Sequence, residues 1–334
     1  MSDTRVKTGT RMRAAVARRF GGPEVVHVEE VPKPETRADE LLIRVQASTV
    51  SVADHRTRAR DLPKGLWFYI PISLGVFRPR HAVLGMDAAG TVEAVGAHVT
   101  RFAPGDEVMV MLGGAFGGHA EYVTVKQDAA IAPKPRNLSM EEAAAIVFGG
   151  HTALAFLGMA EIVPGAEVLV NGASGAVGTM AVQLAKHRGA RVTAVCSGRN
   201  ADLVTSLGAD RVVDHTVQDF AAEGRRYDVI VDCVGNAPFE RVERALAPGG
   251  SLLLVITDLK GALSASRHSK RSGRLVTARG AIIGSAEFGE LAALAEAGEV
   301  RPVIDRTYDL DDIVEAHRYV DTGRKRGSVV LRIA

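Results

Sequence analysis

The octapeptide Asn171-Gly172-Ala173-Ser174-Gly175-Ala176-Val177-Gly178 puts small residues where an apolar run, Val168–Val170, turns toward a helix-forming stretch. Backbone amides left unpaired at such a turn, together with the partial positive charge of a helix start, form a cradle for a pyrophosphate. Gly175 would let the amides approach the phosphates, and Gly178 would let the helix pack against the strand. Ala173 stands where the strict G-x-G-x-x-G pattern has its first glycine. A glycine-rich turn can also serve close packing alone; its strand–turn–helix context is what points to a dinucleotide.

Which dinucleotide is decided about 20 residues further on, where a carboxylate would accept hydrogen bonds from the adenosine ribose. The run Arg191–Val195 leads instead into Cys196-Ser197-Gly198-Arg199-Asn200, which carries no acid. Ser197, Asn200 and the guanidinium of Arg199 can hydrogen-bond to a 2′-phosphate, which an acid would repel. NADPH is therefore expected rather than NADH, against the plainer reading of Arg199 as a solvated loop residue and with Asp202 close by.

These residues need two units to position them, which 334 residues can supply. From Met12 to about Lys134 short β-rich runs (Ala14–Val16, Val25–Val28, Leu41–Val45, Ala89–Val95, Glu107–Met111, Ala120–Val125) are punctuated by Gly and Pro, which predicts a β-barrel-like domain. At Ser139 the texture changes: Ser139-x-x-Glu142 is a capping box ahead of an alanine-rich helix. Beyond it, strands at Val168–Val170, Arg191–Cys196, Arg211–Val213, Val229–Asp232, Leu252–Ile256 and Ala281–Ile283 alternate with helices near Gly178–His187, Ala201–Leu207 and Phe239–Leu246. That alternation predicts a doubly wound parallel sheet. The tail reads as a helix (Glu290–Ala297), an extended run (Val303–Tyr308), an amphipathic helix (Leu310–Val320) and a strand (Ser328–Ile333) that returns to the first domain. The expected fold class is α/β, with a discontinuous catalytic domain at 1–135 and 286–334 and a nucleotide domain at 136–285.

Composition narrows the function. No apolar run approaches the roughly 18 residues of a membrane span, and a formal charge of +2 argues against a nucleic-acid partner. Only Cys196 and Cys233 are present, too few for a disulfide framework or a four-cysteine zinc site, so a cytoplasmic location is expected. The polar, basic first residues read as a tail rather than a transit peptide, and no secretory apolar segment is visible. Between Asp258 and Glu287 the bases Lys260, Arg267, Lys270, Arg271, Arg274 and Arg279 occur without an acid; a solvated loop beside a subunit interface is the favoured reading, over contact with RNA or an anionic substrate.

The chain resembles the medium-chain dehydrogenase/reductase superfamily in its zinc-independent quinone oxidoreductase (zeta-crystallin-like) branch, with a likeness to the reticulon-interacting-protein-like group. The resemblance spans nearly the whole chain. It is carried by Gly21-Gly22-Pro23-Glu24-Val25, Leu84-Gly85-Met86-Asp87, Pro104-Gly105-Asp106, Gly118-His119-Ala120-Glu121-Tyr122, Asn171–Gly178, Leu207-Gly208-Ala209-Asp210, Tyr227–Asp232, Pro248-Gly249-Gly250 and Arg301–Asp305. It implies a GroES-like β-barrel catalytic domain, a Rossmann domain and a cleft between them for nicotinamide and substrate. It also implies a homodimer associating through the edge strand near Ala281–Ile283.

Zinc-dependent members of that superfamily ligate the metal with a cysteine, a His-Glu pair, and a cysteine or acid at the domain junction. The matching positions here are Ser51, Met86-Asp87 and Phe148, which cannot replace thiolate and imidazole ligands, so no metal is expected. Hydride transfer from NADPH to a quinone or an α,β-unsaturated carbonyl is then the natural reaction, since such acceptors are already electrophilic. A zinc-free alcohol or aldehyde reductase and a non-catalytic NADPH-binding sensor or structural protein are the alternatives. Thr152 and Phe148 are expected at the nicotinamide, Val234 and Gly235 at the cofactor ribose, and Arg326 at the pyrophosphate. Ser51 and Tyr69 are expected in the substrate pocket, with Tyr69 as a possible donor to an enolate and otherwise an aromatic packing residue. No general acid is assigned.

Overall fold

A computed structural model describes residues 10–66 and 74–334. Strands β8 (Glu167–Asn171), β9 (Arg191–Cys196), β10 (Arg211–Asp214), β11 (Tyr227–Asp232), β12 (Leu246–Leu254) and β13 (Leu275–Thr277) form one parallel sheet in the order β10-β9-β8-β11-β12-β13. Its central strands are apolar on both faces, as helix-covered parallel strands must be: Val168, Leu169, Val170, Ile230, Val231, Leu252 and Leu253 are fully buried. The order reverses between β8 and β11, and ligands of such sheets bind in the crevice that opens there, beyond the carboxyl ends of the strands.

The second sheet collects β3 (Glu40–Thr49), β4 (Asp87–Val95), β5 (Glu107–Met111), β7 (Ile131–Pro133), β14 (Ile304–Asp309) and β15 (Ser328–Arg332), with β6 (Tyr122–Lys126) also paired to β3. A ribbon of β1 (Arg11–Ala17) and β2 (Val26–Pro32) stands beside it. Leu41, Ile43, Val45, Val108, Val110, Val329 and Leu331 fill its core. The terminal strand β15 lies antiparallel to β3, with Val330 opposite Thr49. Just before β15, Gly327 N donates to Ser174 O at 2.8 Å, so the chain's return is stitched to the glycine-rich loop.

Helix α2 (Met140–Leu157) joins the two sheets. The Ser139–Glu142 capping box starts it, and its buried residues Ala143–Val147 belong to the same core as Val168 and Val170. It crosses α3 (Ala176–His187) closely at Gly149, where a Cβ would stand 2.3 Å from Ala176 O. The remaining helices are α1 (Val52–Ala59), α4 (Ala201–Ser206), α5 (Phe239–Val242), α6 (Leu259–Ser272), α7 (Ser285–Glu296) and α8 (Ile313–Asp321). Among the described residues no helix is long and apolar enough to cross a membrane.

Strand β7 is not among the expected elements and β12 begins at Leu246 rather than Leu252, and three further differences bear on the site or the sheet edge. The sixth parallel strand is Leu275–Thr277 rather than Ala281–Ile283, because it is Leu275 that comes into register with Ser251 of β12; Ala281 instead donates its amide to Ala155 O at the end of α2. The basic run expected as a loop opens as helix α6, whose N-cap Asp258 accepts from Gly261 N at 2.7 Å and whose last turn carries Lys270 and Arg271 at the negative dipole end. Helix α1 has no counterpart among the expected elements.

Candidate functional site

The glycine-rich loop forms as its residue types require. Gly172 has φ +81°, a left-handed conformation that favours glycine. At Gly178 a Cβ would lie 2.1 Å from Gly172 O and 2.7 Å from Ala173 Cα, so α3 can sit this close to β8 only with hydrogen there. Gly175, the N-cap of α3, is different: a Cβ there would meet no protein atom nearer than Gly172 O at 3.6 Å. Its bareness serves no packing and leaves open the groove that a pyrophosphate would enter, so the residues present fit a dinucleotide.

Two side chains brace this groove. Asn171, buried at the end of β8, donates to Asp232 Oδ1 at 2.8 Å and Asn236 Oδ1 at 2.6 Å. Asp232, fully buried, accepts in turn from the amides of Val234, Gly235 and Ala237 at 2.9–3.0 Å. One carboxylate thus shapes the turn after β11 and ties it to β8. Its position at a strand end is the signal that could have marked it in the sequence. Ala173 is buried, its amide bonded to Val195 O.

At the end of β9, Asn200 is buried and donates to Ser174 Oγ at 3.0 Å, while its Oδ1 has no protein partner. It supports the loop from behind. Arg199 is exposed, and its side chain has no hydrogen bond or ion pair among the described residues; Ser197 is half-buried beside it. The β9 end carries no acid of its own, but Asp214 arrives from β10, close enough that a Cβ on Gly198 would meet its Oδ2 at 2.4 Å. Bonds from Thr216 N and Oγ1 at 2.9 and 2.7 Å hold that carboxyl below its usual pKa. Only strand pairing brings Asp214 here, so the sequence hid it.

Between the two sheets lies a cavity of about 450 Å³ lined by Ser174–Gly178, Gly172, Phe148, Thr152 and Val234. Phe148 and Thr152, one helical turn apart on α2, face it together, and the Thr152 hydroxyl donates to Phe148 O at 2.8 Å, leaving its lone pairs to accept. Gly235 lines an adjoining cavity of about 720 Å³. Arg326 is not among the residues lining either: it is exposed, its Nε 3.5 Å from Asp305 Oδ1. Its neighbour Lys325 lines the smaller cavity, with Nζ donating to Gly327 O at 2.6 Å. Burial pushes the Lys325 ammonium down to about 8, with Asp305 opposing.

Ser51 does not reach the cavity. It caps α1: its hydroxyl accepts from Asp54 N at 3.3 Å and donates to Asp54 Oδ2 at 2.6 Å. Asp54 Oδ1 accepts from Gly85 N at 2.8 Å. The helix so anchored buries Asp54, Thr57 and Arg58 and turns Val52, Ala53 and Arg56 toward the cavity. Asp87 is fully buried, bonded to Thr49 N at 2.7 Å and Thr49 Oγ1 at 2.5 Å. Burial pushes its carboxyl up to about 7, the bonds from Thr49 and Ser48 opposing and Asp54 adding to the rise. Among the described residues no three His, Cys, Asp or Glu side chains are grouped to hold a metal. Tyr69 lies outside the described residues.

Residues 37–136 match the family described as alcohol dehydrogenase GroES-like domain, and residues 207–331 match the one described as zinc-binding dehydrogenase. The chain is 32% identical to 2-methylene-furan-3-one reductase of Solanum lycopersicum, over 99% of its own length and 81% of the relative's. It is 29% identical to the chloroplastic NADPH-dependent alkenal/one oxidoreductase of Arabidopsis thaliana, over 96% and 79%. Among solved structures, the quinone oxidoreductase from Coxiella burnetii superposes with a TM-score of 0.84 at 28% identity, covering 97% of this chain and all of that one.

Proposed function

This chain belongs to the medium-chain dehydrogenase/reductase superfamily, in its quinone oxidoreductase branch, and is an oxidoreductase; from that premise we propose that it uses NADPH, without zinc, to reduce a quinone or an α,β-unsaturated carbonyl. The observation that carries this reading is the cavity between the sheets. It joins a pyrophosphate cradle at Ser174–Gly178 to a pocket walled by Phe148, Val234 and Ile256, with no thiolate–imidazole set in the positions of the superfamily's metal ligands.

When bound, the reduced nicotinamide supplies a hydride, and an already electrophilic acceptor needs no Lewis acid to take it. The chain's own part is to bind, orient and exclude water. The amides at the start of α3 hold the pyrophosphate, the Asp232-shaped turn at Val234-Gly235 borders the ribose, and Thr152 accepts from the carboxamide. Phe148 walls the reacting end. We assign residues 1–135 and 286–334 to the catalytic unit and 136–285 to the nucleotide unit, and expect a cytoplasmic homodimer.

NADPH is favoured over NADH by Arg199, exposed and unpaired where a 2′-phosphate would lie, and the alkenal/one relative's name carries the same cofactor. Asp214, kept ionised by bonds from Thr216 and the Gly198 amide, works against a 2′-phosphate, and the Arg199 guanidinium has to outweigh it. Two dissociation constants test it. NADPH should bind more tightly than NADH, and Arg199→Glu should weaken NADPH at least about tenfold, a loss of about 1.4 kcal/mol, while leaving NADH little changed. Equal affinities in the wild type would reject the assignment. Mixing the NADPH-loaded protein with a panel of quinones, enones and aldehydes, and following nicotinamide absorbance, tests the acceptor class; oxidation by aldehydes alone, or by none, would overturn it.

A further inference from the structure

Three residues, Arg56, Val234 and Ile256, line both the cavity at the glycine-rich loop and the larger one that opens beside it. Two are apolar, and the third is a cation. Arg56 stands on α1 one turn beyond Val52, on the face opposite the buried Asp54 and Arg58. Its side chain is half-buried, yet its guanidinium makes no hydrogen bond and no ion pair among the described residues. Burial works against its charge and Asp61 supports it, but Asp61 sits within reach of the His55 ring, at 3.4 Å.

Lys64 and Lys260 line only the larger cavity, away from the glycine-rich loop, and the side-chain donors nearer the loop are engaged. Lys325 bonds to Gly327 O, the Thr152 hydroxyl to Phe148 O, and the Ser51 hydroxyl to Asp54. Arg58, two residues from Arg56, is closed off by a pair with Asp321 at 2.6 Å. A half-buried guanidinium whose N–H groups lack hydrogen-bond partners is costly unless a ligand supplies them. A guanidinium also keeps its charge and offers several N–H groups in a fixed plane.

We propose that Arg56 is the donor that receives the acceptor's carbonyl oxygen and stabilises the oxyanion formed on it. The proposal rests on the reduction of a quinone or enone set out above. As hydride forms a new C–H bond at the β-carbon of an enone, the C=C pair moves to the α-carbon–carbonyl bond and the C=O pair to oxygen. The enolate then takes a proton from water at the α-carbon, and the nicotinamide is left oxidised. Arg56 gives up no proton; its N–H groups bond more strongly to the enolate oxygen than to the starting carbonyl. The loss on removing it therefore falls mainly on kcat.

The test uses Arg56→Met and Arg56→Lys in the full chain, with NADPH binding as the check that the fold and cradle persist. Arg56→Met should lower kcat/KM for an enone about 100-fold, within the range for losing one oxyanion donor, mostly through kcat. Arg56→Lys should recover part of this, and the NADPH dissociation constant should stay within about twofold. A change in kcat/KM below about threefold in Arg56→Met would overturn the proposal.

An arm without turnover separates this from failure of the reductase reading. With NADP⁺ bound, 4-nitrophenol should ionise at lower pH on the wild type than free in solution, read from its phenolate absorbance, and Arg56→Met should abolish the shift. The same ionisation on both proteins, or no binding to the wild type, would count against Arg56. If the wild type oxidises NADPH with no acceptor but perturbs nitrophenol through Arg56, the reductase reading falls while the oxyanion site stands.

Discussion

At the scale of the residue, the site depends on which charges are already spent. Lys325 lines the cofactor cavity, and the residues just after it, Gly327 and Ser328, carry the chain from the glycine-rich loop into β15. Its ammonium is pushed down to about 8, because burial outweighs the attraction of Asp305. An anionic pyrophosphate prefers the protonated lysine, so NADPH affinity should hold at neutral pH and fall as pH rises through about 8. The fall should approach tenfold per pH unit and level off at the higher pKa of the complex. Fluorescence titrations from about pH 7 to about pH 9 will show it, and Lys325→Met should bind weakly with a flat profile. A sloped profile in that variant would assign the titration to another group. The sequence expectation put Arg326 at the pyrophosphate; with Arg326 exposed and drawn to Asp305, it is Lys325 that lines the cavity.

At the scale of the element, the two glycines of the loop do different work, which substitution can separate. Gly178→Ala forces a Cβ against Gly172 O and Ala173 Cα, both backbone, so α3 must move off β8. The gain of roughly 1 kcal/mol that alanine brings inside a helix should be outweighed, leaving a net loss of about 1–3 kcal/mol in urea denaturation of the cofactor-free protein. Gly175→Ala meets no such wall, and its φ of −82° suits any residue. Stability should change by less than about 1 kcal/mol, yet NADPH affinity should fall because the new methyl group occupies the groove. Equal destabilisation by the two would show that Gly175 serves packing after all. This loop was legible because strand, turn and helix start are all written within a dozen residues. Helix α1 was not: Val52–Ala59 is mostly polar and lacks apolar periodicity, its one signal being the Ser51–Asp54 box with an aspartate in place of the usual glutamate or glutamine. Helix α6 was hidden for the same reason, since Ala265 is its only buried residue. Missing α1 meant missing Arg56.

At the scale of the whole molecule, the parallel sheet ends on the three-residue strand β13, which pairs with β12 on one side and with no other strand among the described residues on the other. A short apolar strand and a short apolar loop look alike in sequence, so choosing between Leu275–Thr277 and Ala281–Ile283 required the register of β12. The segment Ala281–Ile283 has a different character: Gly280 packs against Ala155, Ala281 is bonded to α2, and Ile282 is left 95% exposed. An isoleucine this exposed, in the segment that follows the edge strand β13, together with the unpaired edge itself, favours association with a second copy through that edge. A symmetric pair would bring Ile282 of each copy into one interface. Sedimentation at micromolar concentration should find the wild type as a dimer and Ile282→Asp as a monomer that still binds NADPH, because Ile282 lines neither cavity at the glycine-rich loop. A monomeric wild type would remove the dimer, and a dimer unaffected by Ile282→Asp would move its interface elsewhere.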